Sequence, residues 1–524
     1  MRFLSVNENA FLIELDALET TIAVYQSLNQ ANHPYIQELI PAARTVLVYF
    51  DPIWIDQLSL IKWIRSQKIE LKRFNSTKEI VIGVHYDGCD LAEIADHLGL
   101  TTQQLIRKHT ESCWQVAFIG FAPGFAYLMS HDQPFGSVPR RSSPRKKVIA
   151  GSVGLAGEYS GIYPKESPGG WQLIGRTDEI MWDIHRENPA LLLPSDQVVF
   201  KDISRNPTQT SVSTTLVHSN LATHKPVLFE VLNTGLQVLV QDQGRHHVAS
   251  LGVGRAGALD QSSFVEANLI VGNPKHAAML EILNGGLKLK VIQPSVIAVT
   301  GALSELWITY KETGKRQASL SQPIALDEGD EIYLTQPKEG LRNYLAVQGG
   351  IYAEQVLGSV SYDSLAELGT SPIQVGDQIY SAQLKTYPVE LNHFVRTKPK
   401  VGDEIIIDVC LGPRTDWFST DSLELFFNQR WQVSAESNRI GLRLSGEKPL
   451  VREIDKELPS EGCCTGAIQV PPNGQPVLFM NDHPITGGYP VIASVAAYHL
   501  DLIAQIPTGC LIKFRQISDF MDLK

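Results

Sequence analysis

Residues suited to binding an anion concentrate between Phe118 and Thr177. Glycines and prolines in this segment build tight, ordered turns, and its arginines carry a planar guanidinium that matches a carboxylate or a phosphate. The segment is therefore predicted to be a binding surface made of loops. Its candidate contacts are three arginines for an anion and three aromatic residues for a flat substrate: Arg140, Arg145, Arg176, Phe125, Tyr163 and Trp171. The competing interpretations are structural ion pairs for the arginines, and core packing or anchoring of a turn for the aromatic residues.

Groups suited to acid–base chemistry lie in the second half of the chain. Asp482 and His483 are adjacent and stand before a Thr-Gly-Gly-Tyr turn, so they are interpreted either as a pair for proton transfer or as polar loop residues without chemistry. Asp242 follows a strand-like run and is either a catalytic or metal-binding carboxylate or a turn former. These three residues are the candidate catalytic groups. The candidate substrate or anion contacts of this half are Arg245, Arg439, Arg443, Gln469 and Tyr489.

Common metal and nucleotide motifs are missing from the sequence. No His-x-x-x-His or Cys-x-x-Cys spacing supports a metal site, so no metal ligands are predicted. No Gly-x-x-x-x-Gly-Lys-Ser/Thr loop is present, which excludes a P-loop nucleotide site. An ATP site, if the chain has one, must be built differently and cannot be located from a motif.

The bulk composition limits the classes of partner. The chain has 524 residues, a net charge of −11 and a pI near 5.7, which argues against general binding to nucleic acid or to a membrane surface. No apolar run approaches the roughly 20 residues of a membrane span, and the first residues do not resemble a signal peptide. Six cysteines, two of them adjacent, predict buried unpaired thiols and a cytoplasmic location. The basic run at 140–147 is thus a local positive segment in an acidic protein, and it is interpreted as a solvated loop or as a site for an anionic ligand.

These candidate residues must be positioned by an α+β lobe followed by mainly β units. A β-α-β-α-β order over 1–85 predicts a small ferredoxin-like lobe. Short apolar runs broken by Gly and Pro predict a β-barrel or sandwich over 86–205. A Ser/Thr-rich stretch predicts a linker over 206–225, and a second long β-rich module is predicted over 226–518.

Local signals place several individual elements. Helical periodicity predicts helices over 18–28 and 55–69, and the apolar run 79–86 predicts the third strand of the first lobe. Asp260 is predicted to cap a helix over 261–271. Thr101 or Thr102 is predicted to cap another.

The sequence also contains a weak internal repeat. A strand and a Gly/Pro turn precede a Gly-Gly-aromatic triplet and an apolar strand in both halves, at Gly169-Gly170-Trp171 and at Gly487-Gly488-Tyr489. This predicts related barrel lobes that present equivalent loops, with chance similarity as the alternative.

Short, distinctive motifs run along nearly the whole chain. The motifs of the first half are GFAPGFAYL (120–128), PRRSSPR (139–145), AGSVGLAG (150–157) and YPKESPGGWQLIGRT (163–177). Those of the second half are VQDQGR (240–245), GVGRAGALDQ (252–261), ANLIVGNP (267–274), LAVQGGI (345–351), SNRIGLRLSG (437–446), GAIQVPPNGQPVLFMND (466–482) and TGGYP (486–490). Together they resemble a fusion of two 5-oxoprolinase subunits, B and C, also called allophanate hydrolase subunits 1 and 2. The two modules are also similar to the carboxyltransferase region of urea carboxylase.

The resemblance implies a fold, a partner and cofactors. It implies cyclophilin-like β-barrel lobes in both halves, two of them in the second module. It also implies that a separate protein, the A subunit of 5-oxoprolinase or a homologue of it, works with this chain on a small-molecule substrate, with ATP and Mg²⁺. The family usually has an acidic residue where Asn438 stands, so no acid–base role is expected at that position. The chain contains no Met-Lys dipeptide, so no biotin attachment site is expected.

The leading functional hypothesis is a component of an ATP-dependent 5-oxoprolinase that converts 5-oxo-L-proline to L-glutamate. The alternatives are the carboxyltransferase component of a biotin-dependent urea or amide carboxylase and a regulator that binds a histidine kinase. An amidase acting on allophanate is the least favoured. In each enzyme hypothesis, loops of both modules are expected to build the site jointly.

Overall fold

The computed structural model describes residues 1–69, 78–141, 143, 145–204, 225–389, 398–454, 456–521 and 523. These residues form four consecutive lobes, most of whose secondary structure is β-strand. The predicted linker over 206–225 lies outside the described residues except for Lys225. The predicted fold class, α+β and mainly β with β-barrel sheets, is confirmed.

The first lobe is a four-stranded antiparallel sheet, in the order β1-β2-β4-β3, with two helices. One face of the sheet packs Phe11 and Val48 against the helices, and the other packs Leu12 and Leu47 against the last lobe, so both faces are buried. Its elements are β1 (Arg2–Asn7), β2 (Ala10–Glu14), α1 (Leu18–Ala31), β3 (Ile36–Pro41), β4 (Thr45–Phe50) and α2 (Gln57–Ser66).

The first lobe differs from the predicted β-α-β-α-β unit in three strands. The prediction that the run at 79–86 completes its sheet is wrong, because this run forms β5 (Glu79–Val84), which pairs in parallel with residues 197–202 of the next lobe. The two edges of the sheet are formed instead by β1 and β3, which the predicted unit lacks. Local periodicity predicts the strand correctly but does not indicate its partner.

The second lobe is a barrel of seven strands in the order β12-β9-β10-β7-β6-β13-β5. A bridge between His85 and Arg176 joins the two ends of this order, so the sheet closes on itself. Strands β8 and β11 pair outside it. After β5, the elements are α3 (Leu91–His97), α4 (Thr102–Glu111), β6 (Trp114–Ile119), β7 (Ala126–Ser130), β8 (Arg145–Val148), β9 (Ser152–Ala156), β10 (Tyr159–Ile162), β11 (Ser167–Gly169), β12 (Gln172–Arg176) and β13 (Gln197–Asp202).

The third lobe consists of two antiparallel sheets, of seven and five strands, which share one hydrophobic core. The sequence predicts two barrel lobes over 226–518. The third lobe, the first of these two, is instead a two-sheet sandwich, because its strands divide between two sheets. Its elements are β14 (Val227–Thr234), β15 (Gln237–Gln241), a 3₁₀ turn (Ala249–Leu251), α5 (Gln261–Ile270), β16 (Met279–Leu283), β17 (Leu287–Val291), β18 (Ser295–Leu303), β19 (Leu306–Tyr310), β20 (Gly314–Ala318), β21 (Ile324–Leu326), β22 (Glu331–Leu334), β23 (Glu339–Val347), β24 (Ile351–Tyr352) and β25 (Gln378–Ser381).

The fourth lobe is a closed barrel in the order β26-β33-β30-β31-β28-β27-β34. Strands β29 and β32 pair beside it. Its elements are β26 (Glu404–Leu411), a 3₁₀ turn (Thr415–Trp417), α6 (Thr420–Asn428), β27 (Trp431–Val433), β28 (Gly441–Ser445), β29 (Glu461–Gly462), β30 (Ala467–Gln469), β31 (Val477–Phe479), β32 (Thr486–Gly487), β33 (Val491–Val495), a 3₁₀ turn (Ala497–His499), α7 (Leu500–Ile503) and β34 (Leu511–Ser518).

The second and fourth lobes share one topology, which confirms the predicted repeat. In each barrel the first and last strands pair in parallel, β5 with β13 and β26 with β34. In each, a helix precedes a buried Trp whose indole N–H donates to a carbonyl five residues earlier, Trp114 to His109 and Trp431 to Phe426, both at 2.9 Å. The two Gly-Gly-aromatic triplets occupy equivalent positions, between β11 and β12 and after β32.

The local predictions for helices are largely confirmed. Asp260 accepts a hydrogen bond from the Ser263 N–H at 2.9 Å and caps α5. Thr101 caps α4 in a capping box with Gln104. All six cysteines are free thiols, but Cys89 and Cys113 are exposed rather than buried. Among the described residues, no helix is long and apolar enough to cross a membrane.

A buried histidine in the second lobe predicts acid sensitivity. His109 contacts the hydroxyls of Tyr86 at 2.7 Å and Ser160 at 2.9 Å, and burial lowers its pKa to about 3. Because the unfolded chain takes up the proton near pH 6.5 and the folded chain does not, stability is complete above that pH and falls below it. We expect the free energy of unfolding to drop by about 1 kcal/mol between pH 6.5 and 5.5, as measured by urea denaturation. A His109→Gln variant should have a flatter pH profile over this range, and an unchanged profile would contradict the assignment.

Candidate functional site

A cavity of about 360 Å³ lies where the first lobe, the loop 245–261 and the fourth lobe meet. This volume is in the range of small-molecule sites. The polar side chains that line it include Glu38, Tyr49, Arg255, Thr465, Asn481 and His483. Among the described residues, the second lobe contributes none to the lining.

Glu38, on β3, fixes the loop that closes one side of the cavity. Its carboxylate accepts hydrogen bonds from the backbone N–H groups of His247 at 2.8 Å and Ala249 at 3.3 Å. Burial raises the pKa of Glu38, while these two hydrogen bonds oppose the shift. The first lobe therefore holds a loop of the second module in place.

The same loop contains backbone conformations that ordinary residues avoid. His247 and Ala256 have φ angles of 59° and 53°, in the left-handed region. Gly257 has a φ of 89° and lies against Gln243, where an added Cβ would come within 2.9 Å of the backbone. Strain of this kind persists only where surrounding contacts enforce it, and it clusters at binding sites.

His483 presents one ring nitrogen as an acceptor. Its Nδ1 lies 2.8 Å from the carbonyl oxygen of Pro484, and because a carbonyl only accepts, Nδ1 carries the hydrogen. The ring stacks on Phe479 with centroids 5.3 Å apart. Burial lowers the pKa of His483. The neutral ring therefore keeps a lone pair on Nε2, in a residue that lines the cavity.

Asp482, a candidate either for proton transfer with His483 or for a polar loop residue without chemistry, lies at the centre of a buried charge network. Its carboxylate accepts two bonds from Arg439, each at 2.9 Å, and two from the N–H and hydroxyl of Ser364. Arg439 also donates to Glu281 at 2.5 Å and to the Gly257 carbonyl at 2.7 Å. The network joins the third and fourth lobes beneath the cavity, which gives Asp482 and Arg439 a structural role.

Asp242 organises a turn rather than facing the cavity. Its carboxylate accepts from the hydroxyls of Ser359 at 2.5 Å and Ser361 at 2.6 Å, and from the N–H groups of Gly244 and Val360. The turn-forming interpretation of this residue is the one its contacts support. Neighbouring Arg245 is buried and lines the cavity.

The aromatic candidates of the second lobe form a core cluster. The Phe125 ring is 1% exposed and meets the rings of Tyr163 and Trp171 edge-on at 5.2 Å. The core-packing interpretation therefore describes Phe125, and the turn-anchoring interpretation agrees with the burial of Tyr163 and Trp171 beside it. Burial raises the pKa of the Tyr163 hydroxyl to about 12. Gly161 makes this packing possible, because an added Cβ would lie 2.9 Å from Trp171.

The arginine candidates of the second lobe form ion pairs. Arg145 donates to Asp90 at 2.5 Å, and Arg176 donates to Asp87 at 2.9 Å. Arg140 lies 3.5 Å from Glu457 of the fourth lobe. The ion-pair interpretation of these three arginines therefore agrees with their contacts.

The remaining candidates lie on the fourth lobe and are not among the residues that line the cavity. The Gln469 amide donates to the Cys463 thiol at 3.3 Å and to the Tyr489 carbonyl at 3.2 Å, beneath the Gly-Gly-Tyr turn. The Tyr489 side chain is 40% exposed. Arg443 is exposed on β28.

The loops of the two modules meet as predicted, but as a packed interface. The backbone N–H of Phe121 donates to Thr486 Oγ1 at 3.1 Å, and that of Gly124 donates to the Leu251 carbonyl at 3.0 Å. Gly252 packs on Ala122, where an added Cβ would lie 2.6 Å from the carbonyl oxygen. This contact positions the loop 245–261 from the side opposite Glu38.

Sequence reasoning missed the residues that face the cavity from the first lobe. Glu38 and Tyr49 lie on ordinary strands, β3 and β4, and no local motif marks them. Arg255 lies within the motif at 252–261. The motif draws attention to this loop but does not indicate that Arg255 faces a cavity. The glycine-rich sequence of the loop 245–261 is the feature that could have pointed to this site.

Comparisons with known proteins match both modules. The family "Carboxyltransferase domain, subdomain C and D" matches residues 1–192, and "Carboxyltransferase domain, subdomain A and B" matches 251–516. The chain is 36% identical to the C subunit of 5-oxoprolinase from Escherichia coli K12 over 296 residues, which are 56% of this chain and 92% of that protein. It is 35% identical to the B subunit of 5-oxoprolinase from Escherichia coli O157:H7 over 207 residues, which are 37% of this chain and 93% of that protein.

A solved structure shares the whole architecture. The crystal structure of TTHA0988 superimposes with a TM-score of 0.82 and 28% identity over 97% of this chain and 99% of that one. The order of modules, the two equivalent barrels and the sequence matches agree with one another. The chain therefore belongs to the carboxyltransferase-domain family and joins two modules in one polypeptide, the first similar to the B subunit of 5-oxoprolinase, the second similar to its C subunit.

Proposed function

We propose that this chain is a component of a cytoplasmic ATP-dependent 5-oxoprolinase that converts 5-oxo-L-proline to L-glutamate together with a separate A subunit. One observation carries the proposal: modules of the B type and the C type occur in one chain and dock so that a cavity forms between them. The reaction consumes two waters, one to hydrolyse the ring C–N bond and one to hydrolyse ATP to ADP and phosphate. ATP supplies the driving force for opening a stable amide.

The side chains of the cavity support binding and orientation of a small cyclic amide. His483 Nε2 is an acceptor for a ring N–H. Asn481 donates to the Ala258 carbonyl at 3.1 Å, which leaves its amide oxygen as a second acceptor.

The described residues of the cavity do not fit Mg²⁺ with ATP. Its two carboxylates, Glu38 and Asp501, already accept backbone N–H groups, of His247 and Ala249 and of Gln261 and Ser262. No group of three or more His, Cys, Asp or Glu side chains in the described part of the chain could hold a metal ion. We therefore assign the nucleotide to a site outside this cavity and derive no step through it.

Reconstitution tests the proposal. The purified chain should release no glutamate from 5-oxo-L-proline, whereas the chain mixed with a homologue of the 5-oxoprolinase A subunit should release it in an ATP-dependent manner. Glutamate and ADP are measured together, with omission of ATP and of either protein as controls. Failure of the complete mixture to form glutamate, with both proteins folded, would contradict the proposal.

A second candidate function is carboxyl transfer, which the family description favours. In this case the chain would transfer a carboxyl group from carboxybiotin on another protein to urea or a related amide. Formation of carboxylated urea by the chain with a carboxybiotin donor, in place of glutamate release, would favour this candidate over the first.

A further inference from the structure

Arg255 is a cation at the wall of the cavity that no described carboxylate pairs with. Arg255 is an exposed residue that lines the cavity, and the burial around its guanidinium lowers its pKa. Its Nε donates to the Gln243 carbonyl at 3.3 Å. Within the described residues it forms no ion pair, although Glu38 and Tyr49 are near enough to favour its charged form.

Arg245 is a second arginine that lines the same cavity. It is 2% exposed, and it donates to the carbonyls of Val356 at 3.1 Å and Ser361 at 2.7 Å. Its Nη1 is buried without a hydrogen-bond partner, and no described carboxylate forms an ion pair with it. A buried guanidinium left in this state is costly, and a nearby anion would lower that cost.

The carboxylates around Arg245 are committed elsewhere. Asp242 is held by serine hydroxyls and backbone N–H groups, and Asp482 is paired with Arg439. Burial, followed by the charge of Asp482, raises the pKa of Asp363 to about 7, so this carboxyl keeps a proton for much of its population at neutral pH. The charges of these carboxylates favour the charged form of Arg245, but none of their oxygens forms an ion pair with it among the described residues, so its Nη1 is left for a further acceptor.

The other buried arginines provide a contrast. Arg414 pairs with Glu461 and with Glu14, the latter at 2.7 Å, and Arg439 pairs with Asp482 and Glu281. Arg342 lies 3.7 Å from Glu281. These three arginines form ion pairs with described carboxylates, whereas Arg245 and Arg255 form none among the described residues.

We propose that Arg255, together with Arg245 on the lining of the same cavity, is the subsite for the carboxylate of a small cyclic amide, whose ring amide faces His483 and Asn481. The identity of the ring rests on the proposed function, but the anion subsite does not. A planar monoanion suits one available guanidinium face. A phosphate dianion would face the Glu38 carboxylate with twice the charge, so the carboxylate is the better match.

Binding to the full chain alone tests this subsite by isothermal titration. 5-Oxo-L-proline should bind, and 2-pyrrolidinone, the same ring without a carboxylate, should bind about 10- to 100-fold more weakly, since a hydrogen bond to a charged group contributes about 1.5–3 kcal/mol. Arg255→Gln should weaken the binding of 5-oxo-L-proline by a similar factor and leave the binding of 2-pyrrolidinone unchanged. Arg255→Lys should recover part of the lost affinity for 5-oxo-L-proline.

The matched control is Arg107→Gln, which removes an exposed guanidinium on α4 that pairs with Glu111 at 2.7 Å. It should leave both affinities unchanged. Equal weakening of both ligands by Arg255→Gln, no weakening of either, or tighter binding of inorganic phosphate than of 5-oxo-L-proline would overturn the subsite. Normal binding without glutamate release in the reconstituted mixture would contradict the proposed function and leave the subsite standing.

Discussion

Replacing Arg439 by Met is expected to lower the free energy of unfolding by about 3–5 kcal/mol, the largest effect of a single substitution that we predict. The guanidinium is 3% exposed and contacts Asp482, Glu281 and the Gly257 carbonyl. Met would leave two carboxylates of the network without their shared cation. Removing one partner of a buried ion pair exposes the full desolvation cost of the other.

The matched control is Arg443→Met, on the same strand-forming segment. Arg443 is exposed on β28, so its loss should change the free energy of unfolding by less than about 0.5 kcal/mol. Urea denaturation followed by tryptophan fluorescence measures both variants. A folded Arg439→Met variant with unchanged stability and lost binding of 5-oxo-L-proline would instead support the interpretation of Arg439 as an anion contact.

The fold is predictable from the sequence where local chemistry decides it. Asp260 and Thr101 are identifiable as helix caps because a capping oxygen needs only the backbone three residues ahead. The two barrels are visible as short strands separated by Gly and Pro. Their equivalence is visible because the two Gly-Gly-aromatic turns have equivalent neighbours in the chain.

The partners of strands are not predictable in the same way. Sequence order places β5 in the first lobe, because it follows two strand–helix pairs. Its hydrogen bonds go to β13, which is in the second lobe, and a parallel pair of this kind leaves no local signature. The predicted boundary of the first lobe is therefore wrong by one strand.

The candidate site is hard to predict from the sequence because glycine has two uses. Glycine beside aromatic residues permits a ligand to approach the backbone, and it equally permits an aromatic ring to pack there. At Gly161 the ring is Trp171, so the cluster around Phe125 is core. Glu38 and Arg255 come from different modules, and only the docking of those modules brings them to one cavity.

Gly120→Ala tests that docking, and we expect it to lower the free energy of unfolding by about 1–3 kcal/mol. An added methyl group at Gly120 would collide with Thr486 Oγ1, the atom that accepts the N–H of Phe121 across the interface. Relief requires Thr486 to rotate and give up its hydrogen bond with Phe121, or the second lobe to move away from the fourth. Because Ala122 also packs on Gly252, this movement should disturb the loop that carries Arg255 and weaken binding of 5-oxo-L-proline.

A double-mutant cycle separates this contact from a general loss of stability. Thr486→Ala removes the colliding oxygen and leaves the Thr486 Cβ position 3.3 Å from the new methyl group, so the double variant should be less destabilised than the sum of the single ones. Gly120→Ala with Thr110→Ala is the control, since Thr110 lies on α4 and its hydroxyl donates within that helix, to the carbonyls of Ile106 and Arg107. That pair should be additive within about 0.5 kcal/mol. Additivity in the Thr486 cycle as well would show that the two modules do not depend on this contact, because a real collision between two atoms must disappear when either atom is removed.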